Sequence, residues 1–336
     1  MRLMASAILL ATVSYGSLSH AADAPYVAPR NEWGQPDLRG VWNFSSNTPL
    51  ERPAKYADRE FLTADEIEAM RTDALEEIER TDGRSTVGGV GGYNQFWIEG
   101  LPVEENTRTS LLIDPPNGRM PARVRGAPVA FGGLGPDIEG ELPVRFTVGG
   151  IGKDNPEERG LSERCLMGFN SVPPFMPSMY NNNVQLFQNR DHFVIFNEMI
   201  HEARIVPLDN RPHLPTDVAQ WTGDSRGYWD GDTLVVETTN FTDKTQSFRG
   251  TGISADMHLI ERFTRVADDR VDYVFTVNDP KAFAAPFTVE VPMHRMNEEI
   301  YEYACHEGNY GMVNILRGQR IEDGTYNNTP NDTPAQ

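Results

Sequence analysis

The sequence predicts a mainly β protein, an antiparallel meander of about eight strands that closes into a barrel. After Pro177, short apolar segments with alternating polar residues follow one another, separated by tight turns and with hardly any helical spacing. The 29 Gly and 24 Pro predict long loops. The 39% hydrophobic content, with 10% aromatic residues, is enough for a sizeable core. A β-sandwich is the alternative architecture.

The first elements lie in a loop-rich segment, residues 22–160, which we expect to wrap around the barrel. A short strand is predicted at 38–44, where Gly40 and Trp42 form a Gly-x-Trp pair. A helix is predicted over 63–80, because Thr63 and Glu66 form a capping box before apolar residues at helical spacing. A further strand is predicted over 108–114, ending in a turn.

The barrel domain is predicted to span residues 161–318, followed by a flexible tail at 319–336. Hairpin turns are predicted at 188–191 and at Asp230-Gly231, since Asp-Gly between two apolar runs is a strong hairpin signal. The predicted strands of this domain are 184–187, 192–198, 201–208, the two halves of 228–238, 258–266, 271–277, 287–293 and 300–305.

Charge and the N-terminus indicate the compartment. The 336 residues include 49 Asp and Glu against 30 Lys and Arg, a net charge of −19. This balance argues against binding to nucleic acids or to anionic membranes. Residues 1–21 have the charged start, apolar run and small residues of a signal peptide cleaved after Ala21. No later stretch has enough consecutive apolar residues for membrane insertion, so we expect a periplasmic or secreted protein.

The two cysteines, Cys165 and Cys305, form an even set in a compartment where thiols oxidise. A disulfide between them is therefore expected. Two buried free thiols and a catalytic thiol are the alternatives, the second being disfavoured because only His306 stands beside a cysteine.

Several long motifs resemble an abundant family of secreted bacterial proteins. They are RTSLLIDPPNGR at 108–119, ERC at 163–165, HEAR at 201–204, GDSRGYWDGDTLVVETTNF at 223–241 and CHEGNY at 305–310. The Gly-x-Trp-x-Gly-Asp-x-Leu element that starts at Gly227 also resembles one in lipocalin-like bacterial domains. The resemblance implies export and a lipocalin-like barrel, and it supplies no activity.

Candidate catalytic residues are ionisable groups within apolar strands. We expect His201 or His258 to move a proton and Glu202 or Glu261 to orient or assist it. Candidate substrate-binding residues are Arg204 and Arg226, for an anionic or carbonyl group, together with Glu237, His306 and Tyr301. The structural alternative is that these side chains face outward or form Arg–carboxylate clamps.

The sequence has only weak matches to the motifs of other catalytic or cofactor-binding sites. No metal site is expected, because Ile205 and Tyr310 stand where a His-Glu-x-x-His motif needs its second histidine. The Gly-x-Ser-x-Gly letters at 223–227 precede a strand, whereas a nucleophile elbow precedes a helix. No dinucleotide or haem motif occurs, so no cofactor is expected.

The sequence thus predicts an enzyme without a redox cofactor, a lyase, isomerase or hydrolase, that binds a small organic substrate in the barrel. The alternative is a lipocalin-like carrier of a hydrophobic or aromatic molecule. For the carrier the lumen would be lined by apolar residues alone, namely Phe193, Ile195, Val235, Tyr273 and Phe275. Oligomeric state is left open.

Overall fold

A computed structural model of the chain describes residues 26–56, 58–85, 107–127, 155–168, 170–178, 180–242 and 254–326. The predicted signal peptide lies outside these residues. Within them, no helix is both long enough and apolar enough to cross a membrane.

The described chain is mainly β, as predicted, with ten strands in one antiparallel sheet and two α-helices. The strands are β1 (Gly40–Asn43), β2 (Leu112–Asp114), β3 (Asn183–Gln188), β4 (His192–Asn197), β5 (Ala203–Pro207), β6 (Asp224–Asp230), β7 (Thr233–Thr239), β8 (His258–Ala267), β9 (Arg270–Asn278) and β10 (Phe287–Met296). The helices are α1 (Ala64–Ser85) and α2 (Tyr310–Glu322).

The strand order is β5-β4-β3-β1-β10-β9-β8-β7-β6, with β2 pairing beside β10. The sheet exceeds the predicted eight strands because β1 and β2, both from the N-terminal segment, join it. Residues 300–305, predicted as a strand, are irregular. Along its length β10 already pairs with β1, β2 and β9, so no edge remains for a strand that follows it.

The sheet buries one face because its strands alternate. In β9, for example, Val271, Tyr273, Phe275 and Val277 are buried and the residues between them are half-buried. Phe193 on β4 packs on Phe263 on β8 with 5.9 Å between ring centroids, although four strands separate β4 from β8 in the sheet order. The sheet must therefore curl around a common core.

The two edges of the curled sheet lie against each other. A Cβ atom added at Gly227 on β6 would stand 2.7 Å from Leu208 Cδ2 and 2.9 Å from Val206 Cγ1, at the end of β5. No strand ladder joins β5 to β6 among the described residues. We call this line of side-chain contact the seam.

Helix α1 begins as predicted. Thr63 Oγ1 accepts a hydrogen bond from the Glu66 backbone N–H at 3.3 Å, and Glu66 Oε2 accepts one from the Thr63 N–H at 2.9 Å. Arg59, which donates to the Glu66 carboxylate, and the Thr63 N–H together lower the pKa of Glu66 to about 2. The helix continues to Ser85, beyond the predicted end at 80, because an isolated glycine such as Gly83 weakens a helix without ending it.

Trp42 on β1 is fully buried in the core. Its Nε1 donates to the Leu38 carbonyl at 2.9 Å, and the guanidinium groups of Arg295 and Arg265 lie 5.5 and 5.8 Å from its ring centroid. These contacts satisfy the indole N–H and place two cations near the ring.

The disulfide between Cys165 and Cys305 is present and links residues 140 positions apart. The segment after Cys305 leads into α2. The N-cap of this helix is Asn309, whose Oδ1 accepts a hydrogen bond from the Met312 N–H at 3.3 Å. Helix α2 extends to Glu322, four residues into the segment 319–336 that is predicted to be a flexible tail.

Candidate functional site

A cleft of about 390 Å³ lies at one end of the seam. Its lining comes from the segment after Cys165, the residue before β5, the segment before β6 and a residue after β7. The lining residues are Leu166, Met167, Glu202, Ala219, Gln220, Trp221, Thr222 and Thr242. We call it the seam cleft.

Glu202 is the ionisable side chain of this lining. It is half-buried, and burial raises the pKa of its carboxyl, although the charges of Arg204 and His201 partly oppose that shift. A carboxyl whose pKa is raised holds a proton at higher pH and can exchange it with a bound molecule. Glu202 therefore has the protonation behaviour expected of an acid–base group.

A strained turn positions Glu202. Ile200 and His201 have left-handed backbone angles, with φ of 60° and 43°. Such a conformation is rare for a β-branched residue and costs about 1–3 kcal/mol. The turn is held because the Asn197 N–H donates to the Glu202 carbonyl at 2.8 Å. The strain and the candidate acid thus occur in adjacent residues.

The opposite wall is a loop, residues 208–223, that Asn240 holds in place. The Asn240 Nδ2 group lies within hydrogen-bonding distance of the Leu214, Pro215 and Val218 carbonyls, at 3.1, 2.9 and 3.3 Å. The Gln220 N–H donates to the Asn240 carbonyl at 2.8 Å. This anchoring fixes the part of the loop that carries Trp221 into the cleft wall.

Asp224 clamps the same loop from the start of β6. Its carboxylate contacts His213 Nδ1 at 2.9 Å and accepts from the Leu214 N–H at 2.9 Å and from Arg226 at 2.7 Å. Burial favours the neutral acid, but these three partners outweigh burial and lower the pKa of Asp224. Arg226, a predicted substrate-binding residue, is thereby part of a structural clamp.

Arg204 and Glu261 meet inside the curled sheet. Both nitrogens of the Arg204 fork contact Glu261, at 2.5 and 2.9 Å, and the Tyr273 hydroxyl donates to Glu261 at 2.7 Å. Glu261 is 0% exposed, and Arg204 also lies 5.5 Å from the Phe175 ring centroid. The two predicted site residues form a buried ion pair, the clamp that the structural alternative describes.

Glu237 and His258 lie together on the outer face of the sheet. His258 Nε2 is 3.8 Å from Glu237 Oε2, and the Tyr228 hydroxyl donates to Glu237 at 3.3 Å. His258 and Glu261 face opposite sides of β8, as the alternation predicts.

The remaining predicted residues are exposed. His201 precedes Glu202 in the chain but is not among the residues that line the cleft, whereas His306 and Tyr301, the latter 75% exposed, lie close to Cys305 in the sequence. The predicted residues therefore occupy the cleft, the interior, the outer face and the disulfide region, and of them only Glu202 lines the cleft.

The cleft residues around Trp221 were not predicted from the sequence, and neither were Leu166 and Met167. They lie in loops without hydrophobic periodicity, and the seam brings them together. The single local signal is the position of Leu166 and Met167 directly after Cys165. Among the described residues, no group of three or more His, Cys, Asp or Glu side chains could hold a metal ion.

Comparison of the chain with models of protein families, with curated proteins and with solved structures finds no match. Membership of the secreted bacterial family stays a prediction from the motifs.

Proposed function

We propose that the protein is an acid–base enzyme that acts on a small organic molecule in the seam cleft, as a lyase, isomerase or hydrolase. The observation that carries the proposal is Glu202, a half-buried carboxyl whose pKa is raised and which lines a cleft of about 390 Å³. Perturbed acids in clefts are typical of sites that exchange protons with a substrate.

Glu202 supplies the proton exchange in this proposal. In its ionised form the carboxylate takes a proton from the substrate, and in its protonated form it returns that proton to the departing or neighbouring atom. Gln220 and Thr222, in the same lining, supply hydrogen-bonding groups. The hydrogen bond from the Asn197 N–H to the Glu202 carbonyl fixes the backbone that carries the carboxyl, which lowers the entropic cost of reaching the reactive geometry.

The test is turnover of a mixture of small organic molecules by the wild type and by Glu202→Gln, followed by mass spectrometry. We expect the wild type to deplete at least one compound and Glu202→Gln to slow this by about 10²-fold or more. Glu237→Gln, on the outer face, is the matched control and should keep wild-type turnover. Wild-type rates in Glu202→Gln would refute the proposal.

A carrier function is the second candidate. Its support is the apolar wall that Trp221, Leu166 and Met167 contribute to the cleft. The lumen predicted for a carrier is less suited, since Phe193 and Tyr273 both pack directly on Phe263. A compound that binds the cleft and is recovered unchanged after long incubation would favour the carrier.

Closure of the sheet into a lipocalin-like barrel is also part of the proposal. The contact of Gly227 with Val206 and Leu208 supports it, because it joins the two edge strands. The Arg204–Glu261 pair supports it too, since it links β5 to β8 across the core.

We further propose that the mature protein works in the periplasm or outside the cell. The disulfide supports an oxidising compartment. Amino-terminal sequencing of the exported protein should give Ala22 as the first residue.

A further inference from the structure

We infer that the seam cleft selects uncharged, planar aromatic molecules that carry a hydrogen-bond acceptor, and that it excludes anions. The inference rests on the proposed function, because it names the substrate class of the same site. Three properties of the lining carry it: its charge, its apolar surface and its hydrogen-bonding groups.

Among the residues that the structure describes, the lining offers an anion no counter-charge. Glu202 is the only ionisable side chain of that described lining, and no cationic side chain stands with it. Arg204, two residues after Glu202, is buried and bonded through two nitrogens to Glu261. A carboxylate or phosphate in the cleft would lose hydration and face Glu202 without compensation. The net charge of −19 acts in the same direction.

The apolar part of the lining suits a flat ring. Trp221 is 36% exposed and lines the cleft together with Leu166 and Met167. An indole favours offset stacking with an aromatic ring, and a thioether favours contact with a ring edge. A volume of about 390 Å³ is within the range of small-molecule sites.

The polar part of the lining suits a neutral acceptor. Burial favours the protonated, donating form of Glu202, whose raised pKa agrees with this geometry. Gln220, Thr222 and Thr242 add neutral amide and hydroxyl groups. A substrate ammonium would require Glu202 to ionise and both charges to lose hydration, which offsets much of their attraction.

The experiment compares three single-ring probes by calorimetry at pH 5 and pH 8. They are acetophenone, which is neutral with a carbonyl acceptor, benzoate, which is anionic, and benzylamine, which is cationic. At pH 5 acetophenone should bind at least about tenfold more tightly than either charged probe. Its affinity should be lower at pH 8 than at pH 5, because ionisation of Glu202 as pH rises removes the donor.

Two variants locate the effect. Glu202→Gln keeps a donor that cannot ionise, so acetophenone should bind it equally at both pH values. Trp221→Ala should lose most of the affinity, whereas Trp33→Ala, an exposed tryptophan outside the lining, should bind as the wild type.

Tighter binding of benzoate or benzylamine, no binding of acetophenone, or wild-type binding by Trp221→Ala would each overturn the inference. Other outcomes test the proposed function independently of the selectivity. Selective acetophenone binding without any turnover in the mixture assay would overturn only the enzyme, and turnover of an anionic substrate that depends on Glu202 would overturn only the selectivity.

Discussion

Glu261 and Glu202 are both candidate catalytic residues in segments predicted to be strands. Their surroundings in the structure nevertheless differ. Glu261 is fully buried between Arg204 and Tyr273, whereas Glu202 is half-buried and lines a cleft. Burial penalises a charge unless a partner compensates it. Of the two, only Glu261 has such a partner bonded through both oxygens, so Glu261 belongs to the core ion pair and Glu202 is the acid that the proposed chemistry uses.

Glu261→Gln should lower the free energy of unfolding by about 3–5 kcal/mol, because it leaves the Arg204 charge buried without a carboxylate. Urea denaturation measures this loss. The double variant Arg204→Leu with Glu261→Leu should recover much of it, since no charge then remains buried. A loss below about 1 kcal/mol in Glu261→Gln would show that the ion pair is solvated.

Glu202→Gln and Asp224→Asn should change stability in opposite directions at pH 7. The folded protein raises the pKa of Glu202 above 4.5, so the unfolded chain releases that proton first and stability falls as pH rises through this range. Glu202→Gln removes that penalty and should be more stable than the wild type. The difference should vanish below pH 4.5.

The pKa of Asp224 is lowered from 3.8, so its contribution to stability is present above pH 3.8 and is lost as pH falls through the folded value. Asp224→Asn should therefore be less stable than the wild type at pH 7, with the gap narrowing in acid. Thermal unfolding of both variants from pH 3 to pH 7 measures the two trends. A change of stability in the same direction for both variants at pH 7 would contradict the directions given for the two pKa shifts.

Elements that depend on a local sequence pattern form as predicted. Features that depend on contacts between distant segments were not predicted. The capping box at Thr63 is formed as predicted, and so is the β6–β7 hairpin, whose turn residues are Gly231 and Asp232, one position after the predicted pair. The place of β1 between β3 and β10 could not be predicted, because four residues carry too little periodicity to specify their neighbours. The seam is likewise a contact between elements distant in the sheet order.

Gly227→Ala should weaken the seam. Its new Cβ would stand 2.7 Å from Leu208 Cδ2, so neighbouring side chains must move, at a cost of about 1–3 kcal/mol. The matched control is Gly318→Ala in α2, where no atom lies within 4 Å and alanine should stabilise the helix by up to about 1 kcal/mol. Chemical denaturation compares the two, and equal effects would argue against a tight seam.

Across the whole molecule, the disulfide connects the cleft to the C-terminal part of the chain. Leu166 and Met167, which line the cleft, follow Cys165 directly, and Asn309 donates to the Glu163 carbonyl at 2.9 Å beside it. The bond thus holds one cleft wall to the segment that leads into α2.

Replacing both cysteines by serine should lower the free energy of unfolding by up to about 5 kcal/mol, because the bond closes a loop across 140 positions. Hydrogen exchange should show the largest loss of protection in α2 and around Leu166, and smaller changes in β8 and β9. A reductant should reproduce this in the wild type and have no effect on the double serine variant. Uniform loss of protection would contradict a local role for the bond.

The sequence alone determined the mainly β class, the β3–β4 and β6–β7 hairpins, the start of α1 and the cysteine pairing that the structure confirms. These features depend on local periodicity, turn chemistry or a single possible pair. Tertiary structure decided the strand count, the seam and the fate of each acid, because Glu202 and Glu261 differ only in what the curled sheet brings beside them. A cleft built from loops at 166–167, 219–222 and 242 leaves no periodic signal, since its residues meet only after the two sheet edges come together.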